Sequence, residues 1–117
     1  MNATTLAHRG YAPTAAPLKS ARRAEYEVIA RITSRMMSAL QAKNFNGLIH
    51  AIHENRTLWR KLAIDLADPE NLLPDDLRAR LIYLSEFTEQ HSRKVIAREA
   101  SATALVEINT AILRGLK

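Results

Sequence analysis

The chain has 117 residues, a formal net charge of +5 and no cysteine, so it is long enough for one domain and excludes disulfides and thiolate metal sites. No stretch reaches the roughly eighteen uncharged apolar residues that cross a membrane, and the N-terminus lacks the apolar segment of a signal peptide. We therefore expect a cytoplasmic protein that does not insert into a membrane.

The positive charge is concentrated in the first half of the sequence. Residues 1–61 contain ten Lys/Arg and three acids, giving +7, whereas residues 62–117 contain seven and nine, giving −2. A basic half is compatible with binding to RNA, an acidic protein or a membrane surface, and equally with a solvated face. We favour the solvated face, because no compact run of Lys/Arg occurs.

Residues 1–17 are predicted to form a flexible or extended N-terminal arm. Gly10, Pro13 and Pro17 lie there among small and polar residues that show no periodicity. Residues 18–117 are predicted to form a single helical domain, whose first helix starts with Ser20 as its cap and runs to about residue 42. Residues spaced three and four apart place one stripe on this helix: Tyr26, Ile29, Thr33, Met36 and Leu40.

The second predicted helix starts at Asn44 as a cap and ends before Asp68-Pro69, because proline disfavours helix at the preceding residue. Spacings of four and three alternate along its stripe, as in a coiled coil. The stripe consists of Leu48, Ile52, Asn55, Trp59, Leu62 and Leu66.

A short fixed connection, Pro69–Pro74, leads into the third predicted helix. Asp75 and Asp76 follow it and favour a helix N-terminus. This helix is expected to reach about residue 99, and Ser101 or Thr103 to cap a fourth helix. No segment alternates as a strand does, so the predicted fold is all-α, a small antiparallel bundle of about four helices.

Three polar or amphipathic residues stand on the apolar stripes. Trp59 reads as a core anchor, with a partner-binding hot spot as the alternative. Asn55 and Asn109 are expected to bond a backbone carbonyl or the connecting loop and so fix helix register, because a buried amide without partners costs about 1–3 kcal/mol.

Residues that could support chemistry are few. His50 and His53 share a helix face, but no third zinc ligand stands at a fixed spacing. Asp75 and Asp76 point about 100° apart on a helix, which suits capping better than acid–base work. No phosphate loop, nucleophile elbow or zinc-protease signature is present. We expect no enzyme activity, no cofactor and no metal.

Four segments in order resemble the FlaF family of bacterial flagellar biosynthesis regulators. They are Gly10-Tyr11-Ala12, Ser20 through Glu25, the central Asn55-Arg56-Thr57-Leu58-Trp59, and Ile108-Asn109 with Ile112 and Gly115-Leu116. The central segment continues into the Pro69, Asn71, Leu73-Pro74 and Leu77-Arg78 positions of the same signature. The chain departs from the family pattern at Ala21, where proline is frequent, and at Thr110, where arginine is frequent.

The resemblance implies a non-enzymatic role in making flagellin, as a secretion chaperone or assembly factor that couples flagellin synthesis to export. The implied partners are flagellin and, as a further candidate, the regulator FlbT. The shape-determining signature residues are expected to be Asn55, Trp59, Pro69, Asn71, Pro74, Arg78 and Asn109.

A helical bundle can bind an amphipathic flagellin helix in an apolar groove. Our hypothesis places that groove on the first helix, lined by Tyr26, Ile29, Met36 and Leu40, with Arg22, Arg23 and Arg35 attracting acidic residues of the client. The rival function is an RNA-binding regulator of flagellin messenger RNA, which the basic half supports. None of the six aromatic residues interleaves with a basic cluster, as base stacking would require. An adaptor for FlbT or for a second copy is a third possibility.

Overall fold

Four helices follow one another along the chain in this computed structural model, which describes the backbone of residues 15–116 and the side chains of residues 23–115. They are α1 (Ala15–Gln41), α2 (Phe45–Ala67), α3 (Asp75–Ile96) and α4 (Thr103–Leu116), and the described residues contain no strand. α1 packs against α2 and α4, and α3 packs against the same two helices. Because short connections join them, the helices form an antiparallel ring in which α2 and α4 are diagonal. The predicted all-α bundle is confirmed.

The start of α1 differs from the prediction. The helix begins at Ala15, so Ser20 lies inside it and the predicted cap there is wrong. Pro17 is accommodated because it stands in the first turn, where a backbone N–H has no intrahelical acceptor. Residues 1–14 of the predicted arm lie outside the described residues.

The end of α1 and the start of α2 are fixed by local hydrogen bonds. Lys43 adopts a left-handed conformation with φ 55°, and the Asn44 amide donates to the Ala39 carbonyl at 2.9 Å. With the Lys43 amide bonded to Leu40, this is a Schellman motif. The Asn44 side chain then accepts from the Gly47 amide at 3.0 Å, which confirms it as the α2 cap.

The third helix ends in the same way, three residues earlier than predicted. Arg98 has φ 63°, and the Glu99 amide bonds to the Lys94 carbonyl at 2.8 Å. The Arg98 guanidinium lies 3.8 Å from the centre of the Phe45 ring, so this turn also packs onto the start of α2. Ser101 Oγ accepts from the Thr103 amide at 3.1 Å, which satisfies one free donor at the start of α4.

The core consists of two apolar clusters that lie at successive positions along α2. One contains Leu48 and Ile52 of α2, and the other contains Trp59, Leu62 and Leu66. All six residues of the predicted α2 stripe are buried, including Asn55 between the two clusters. The first cluster also includes Ile32, Met36, Ala39, Ala51, Val95, Ala102 and Leu105.

Candidate functional site

A layer of hydrogen-bonded polar side chains lies in the interior of the bundle. The indole Nε1 of Trp59 donates to Asn109 Oδ1 at 3.0 Å. Asn109 Nδ2 donates to Asn55 Oδ1 at 2.8 Å and to Thr33 Oγ1 at 3.1 Å. The Thr33 hydroxyl donates in turn to the Ile29 carbonyl at 2.7 Å. One side chain from α4 therefore ties α1 and α2 together.

The geometry of this layer corrects the hydrogen-bond partners expected for the two asparagines. The Asn55 side chain bonds neither a backbone carbonyl nor the connecting loop, since its oxygen accepts from Asn109 across the core. Asn109 uses both of its amide hydrogens and its carbonyl oxygen. The bonds join three helices, which supports the expected role in fixing register.

Other side chains hold the corner between α2 and α3. Asn71, which is buried, donates to both the backbone and the side chain of Asp65 at 3.1 Å and accepts from the Leu73 amide at 3.0 Å. Arg78 of α3 reaches back to the Leu66 carbonyl at 2.6 Å and to the Asp68 carbonyl at 3.3 Å. These bonds satisfy carbonyls at the C-terminus of α2, which would otherwise lack partners.

Comparison with protein families assigns the chain to a family. The family described as "Flagellar protein FlaF" matches residues 7–116, nearly the whole chain. The chain belongs to the FlaF family. No curated protein and no solved structure matches it. The FlaF resemblance on the central and C-terminal motifs is thus confirmed, and five of the signature residues, Asn55, Trp59, Asn71, Arg78 and Asn109, form the polar layer and the corner.

The structure separates the residues that the sequence placed in a partner-binding groove of this FlaF member. Ile29 and Met36 are 4% and 0% exposed, so they belong to the core and not to an open surface. Tyr26 and Leu40 are half-buried. Of the three arginines, Arg23 and Arg35 are exposed, and the Arg22 side chain lies outside the described residues.

A shallow surface groove does run between α1 and α2, and we name it the α1–α2 groove. One part has a volume of about 520 Å³ and is lined mainly by small residues, with Ser34, Ser38 and Ala42 on α1. The adjoining part, of about 330 Å³, includes Val28 and Leu58. Glu54 lines both parts and accepts two 2.8 Å bonds from Arg35. The other lining residues are Arg31, Ile32, Ala39, Asn44, Gly47, His50, Ala51, Thr57 and Lys61.

A second groove lies between α2 and α3, and we name it the α2–α3 groove. It has a volume of about 560 Å³, and three arginines in it surround the Glu89 carboxylate. Arg60 binds Glu89 through two bonds of 3.0 Å, Arg56 through one of 2.6 Å, and Arg93 Nε lies 3.4 Å away. The hydrogen bonds from Arg60 and Arg56 lower the pKa of Glu89 to about 2. The remaining lining residues are Trp59, Ala63, Ser85, Glu86, Thr88 and Gln90.

The sequence did not single out the α2–α3 groove, because its side chains are contributed by two helices whose relative register is set by packing. His50 and His53 are both exposed on α2, and the described residues contain no group of three or more His, Cys, Asp or Glu side chains placed to hold a metal. Within the described part of the chain, no helix is both long and apolar enough to span a bilayer.

Proposed function

We propose that this protein is a cytoplasmic, non-enzymatic factor that binds flagellin and couples its synthesis to export. The family match over residues 7–116 is the observation that carries the proposal, since it assigns the chain a flagellar role. An all-helical bundle suits the binding of another protein's helix, because apolar stripes on helices pack into grooves between helices.

The α1–α2 groove is the surface that best fits an amphipathic flagellin helix. Its α1 wall presents Ser34, Ser38 and Ala42 at four-residue spacing, and small side chains let another helix approach closely. The apolar part at Val28 and Leu58 adds burial worth about 25 cal/mol per Å² of apolar surface, less the cost of ordering the client. We therefore place the binding surface in this groove. The four apolar residues predicted from the sequence do not line an open surface together, because Ile29 and Met36 are in the core.

Basic side chains at the groove favour a client helix with acidic residues on its flanks. Arg31 and Lys61 line the groove beside Val28 and Leu58, and both are exposed. Arg35 is exposed as well, although it is engaged with Glu54. Exposed ion pairs contribute only about 0–1 kcal/mol, so Arg35 can exchange Glu54 for a client carboxylate at little cost.

The test is co-purification with flagellin and with flagellin lacking either terminal segment. In the variant Ser34→Glu/Ser38→Glu, two exposed serines of the groove gain bulk and negative charge, and we expect flagellin binding to weaken at least about tenfold through steric and like-charge repulsion. The matched control is Ala79→Glu/Ala111→Glu, which adds the same charges at exposed positions on α3 and α4. Equal binding by both variants, each with an unchanged helical circular dichroism spectrum, would refute the groove assignment.

The RNA-binding alternative predicts a different response to salt. Binding to flagellin messenger RNA should weaken steeply as salt rises, because phosphate contacts release counterions. A complex with purified flagellin that persists at moderate salt supports the chaperone proposal, whereas RNA binding without flagellin binding contradicts it. Parallel co-purification with FlbT distinguishes an adaptor from a flagellin chaperone, since an adaptor binds FlbT and leaves flagellin unbound.

A further inference from the structure

The α2–α3 groove has more hydrogen-bond donors than its own acceptor can use. Three guanidinium groups carry five N–H donors each, and one carboxylate, Glu89, lies among them. Arg60 and Arg93 have side chains that are 57% and 69% exposed, so their free donors are open to solvent. Glu86 is the other acid of the groove and makes no ion pair with these arginines. Three arginines and two glutamates leave the groove with one net positive charge.

A buried hydroxyl in the same groove lacks any partner. Thr88 lines the groove, is 1% exposed, and its Oγ1 atom has no hydrogen-bond partner in the protein. The Nε atom of Arg56 is likewise buried without an acceptor. A buried polar group without a partner is costly, and such groups are uncommon in folded proteins. Both residues line the groove.

We propose that the α2–α3 groove binds a carboxylate side chain from an acidic helical segment of a protein partner. The incoming carboxylate accepts from the exposed arms of Arg60 and Arg93 and from the Thr88 hydroxyl, while Glu89 keeps the guanidinium groups in position. The methyl group of Ala63, which is half-buried, supplies an apolar surface for the rest of the segment.

The geometry favours a carboxylate over a phosphate chain. Arg60 already holds Glu89 through two parallel bonds, the fork that matches a planar carboxylate. Glu86 on the groove wall repels a run of phosphates more strongly than a single carboxylate. Trp59 is only 4% exposed, so the groove lacks a stacking surface for nucleotide bases.

This inference does not depend on flagellin being the partner, because the site lies on the α2–α3 side of the bundle and its test uses a defined probe. The probe is a synthetic helical peptide with glutamates four residues apart, compared with a twin in which each glutamate is glutamine. Trp59, the chain's only tryptophan, lines the groove and reports binding by fluorescence, with calorimetry as the second readout.

We expect the glutamate peptide to bind at least about tenfold more tightly than the glutamine twin, since charge-assisted hydrogen bonds are lost in the twin. Arg93→Gln should weaken binding of the glutamate peptide by a similar factor. Arg80→Gln, at an exposed position on the same helix outside the groove, should leave the affinity unchanged. Thr88→Val should weaken peptide binding without lowering the thermal midpoint, because it removes a hydroxyl that has no partner in the free protein.

Equal affinity for the two peptides overturns the proposal, as does an Arg93→Gln protein that binds the glutamate peptide like the wild type. Competition with inorganic phosphate and with polyuridylate identifies the other ligand class. If polyuridylate displaces a labelled glutamate peptide at a lower concentration than the unlabelled glutamate peptide does, the groove is a phosphate site. That result contradicts the carboxylate assignment. Thr88→Val that loses stability and keeps its affinity shows a structural hydroxyl and removes Thr88 from the site.

Discussion

The indole nitrogen of Trp59 donates a 3.0 Å hydrogen bond to the side-chain oxygen of Asn109, fifty residues further along the chain. The two residues stand on α2 and α4, which are diagonal in the ring of helices. Asn109 also bonds Thr33 of α1, so a single side chain links three helices across the core. Apolar packing tolerates small shifts between helices, whereas directional bonds to a buried amide fix their relative height.

Replacing Asn109 should be destabilising because its partners are buried. In Asn109→Ala, the Trp59 N–H and the side chains of Asn55 and Thr33 lose a partner, at about 1–3 kcal/mol for each group that stays unsatisfied. The free energy of unfolding from urea denaturation measures this loss. Asn46→Ala, at an exposed position near the start of α2, is the control and should stay within about 0.5 kcal/mol of the wild type.

A double-mutant cycle isolates the bond between the two residues. Trp59→Phe keeps an aromatic ring in the core and removes the N–H donor, so combining it with Asn109→Ala should give a coupling energy of about 0.5–3 kcal/mol. Strict additivity of the two single changes would mean that this bond contributes nothing to stability.

The α2–α3 corner depends on side chains that satisfy backbone groups. Arg78→Lys should destabilise by about 1–3 kcal/mol, because an ammonium group cannot reproduce the two bonds that the guanidinium makes to Leu66 and Asp68. Asn71→Ala should have a similar effect through its bonds to Asp65 and Leu73. Arg80→Lys, two residues away and exposed, is the matched control. Faster amide hydrogen exchange at residues 70–73 in Arg78→Lys than in the control would locate the defect at the corner, and unchanged exchange there would count against this account.

Much of the helical scaffold could be predicted from the sequence. The α2 stripe is entirely buried because the spacing of apolar residues reports directly which face of a helix is covered. In α3, by contrast, Leu77 is 40% exposed although it is apolar, whereas Ser85 and Ser92 are buried. Short hydroxyl side chains carry no hydrophobic signal, so apolar periodicity cannot place them.

Side-chain contacts between different helices could not be predicted from the sequence. Local spacing put Asn55 on the buried face but could not show that its partner is Asn109 on another helix. The three arginines around Glu89 come from two helices, and their convergence depends on how those helices are aligned. Ile29 and Met36 were correctly placed on a stripe, yet a stripe alone does not distinguish a core from an open groove.

The left-handed residue after α1 offers a stabilising substitution. Lys43 has φ 55°, a conformation in which a side chain is unfavourable and glycine is not. Lys43→Gly should therefore raise the free energy of unfolding by up to about 1 kcal/mol, because the Schellman bonds are made by the backbone. Thermal and urea denaturation measure the gain. Lys61→Gly, inside α2, is the opposite control and should lose about 1 kcal/mol. A loss of stability in Lys43→Gly would show that the lysine side chain itself contributes to the turn.

The ion-pair cluster at Glu89 should make stability depend on pH in a defined window. The arginines hold the pKa of Glu89 at about 2, below its ordinary value of about 4.3 in an unfolded chain. A lowered carboxylate pKa contributes stability that is fully present above the unfolded value and is lost as pH falls through the folded one. Glu89→Gln should therefore be less stable than the wild type at neutral pH, and the difference should shrink as pH falls from about 4.3 to about 2.

Urea denaturation of both proteins across that range measures the difference. Glu86→Gln on the same helix is the control, since Glu86 makes no ion pair with the groove arginines, and its stability should follow the wild-type pH profile. Added salt should reduce the Glu89→Gln effect, because the arginines of the cluster are partly exposed and their charges are screened. A difference between wild type and Glu89→Gln that stays constant down to about pH 2 would show that Glu89 acts by packing and not as a bound carboxylate.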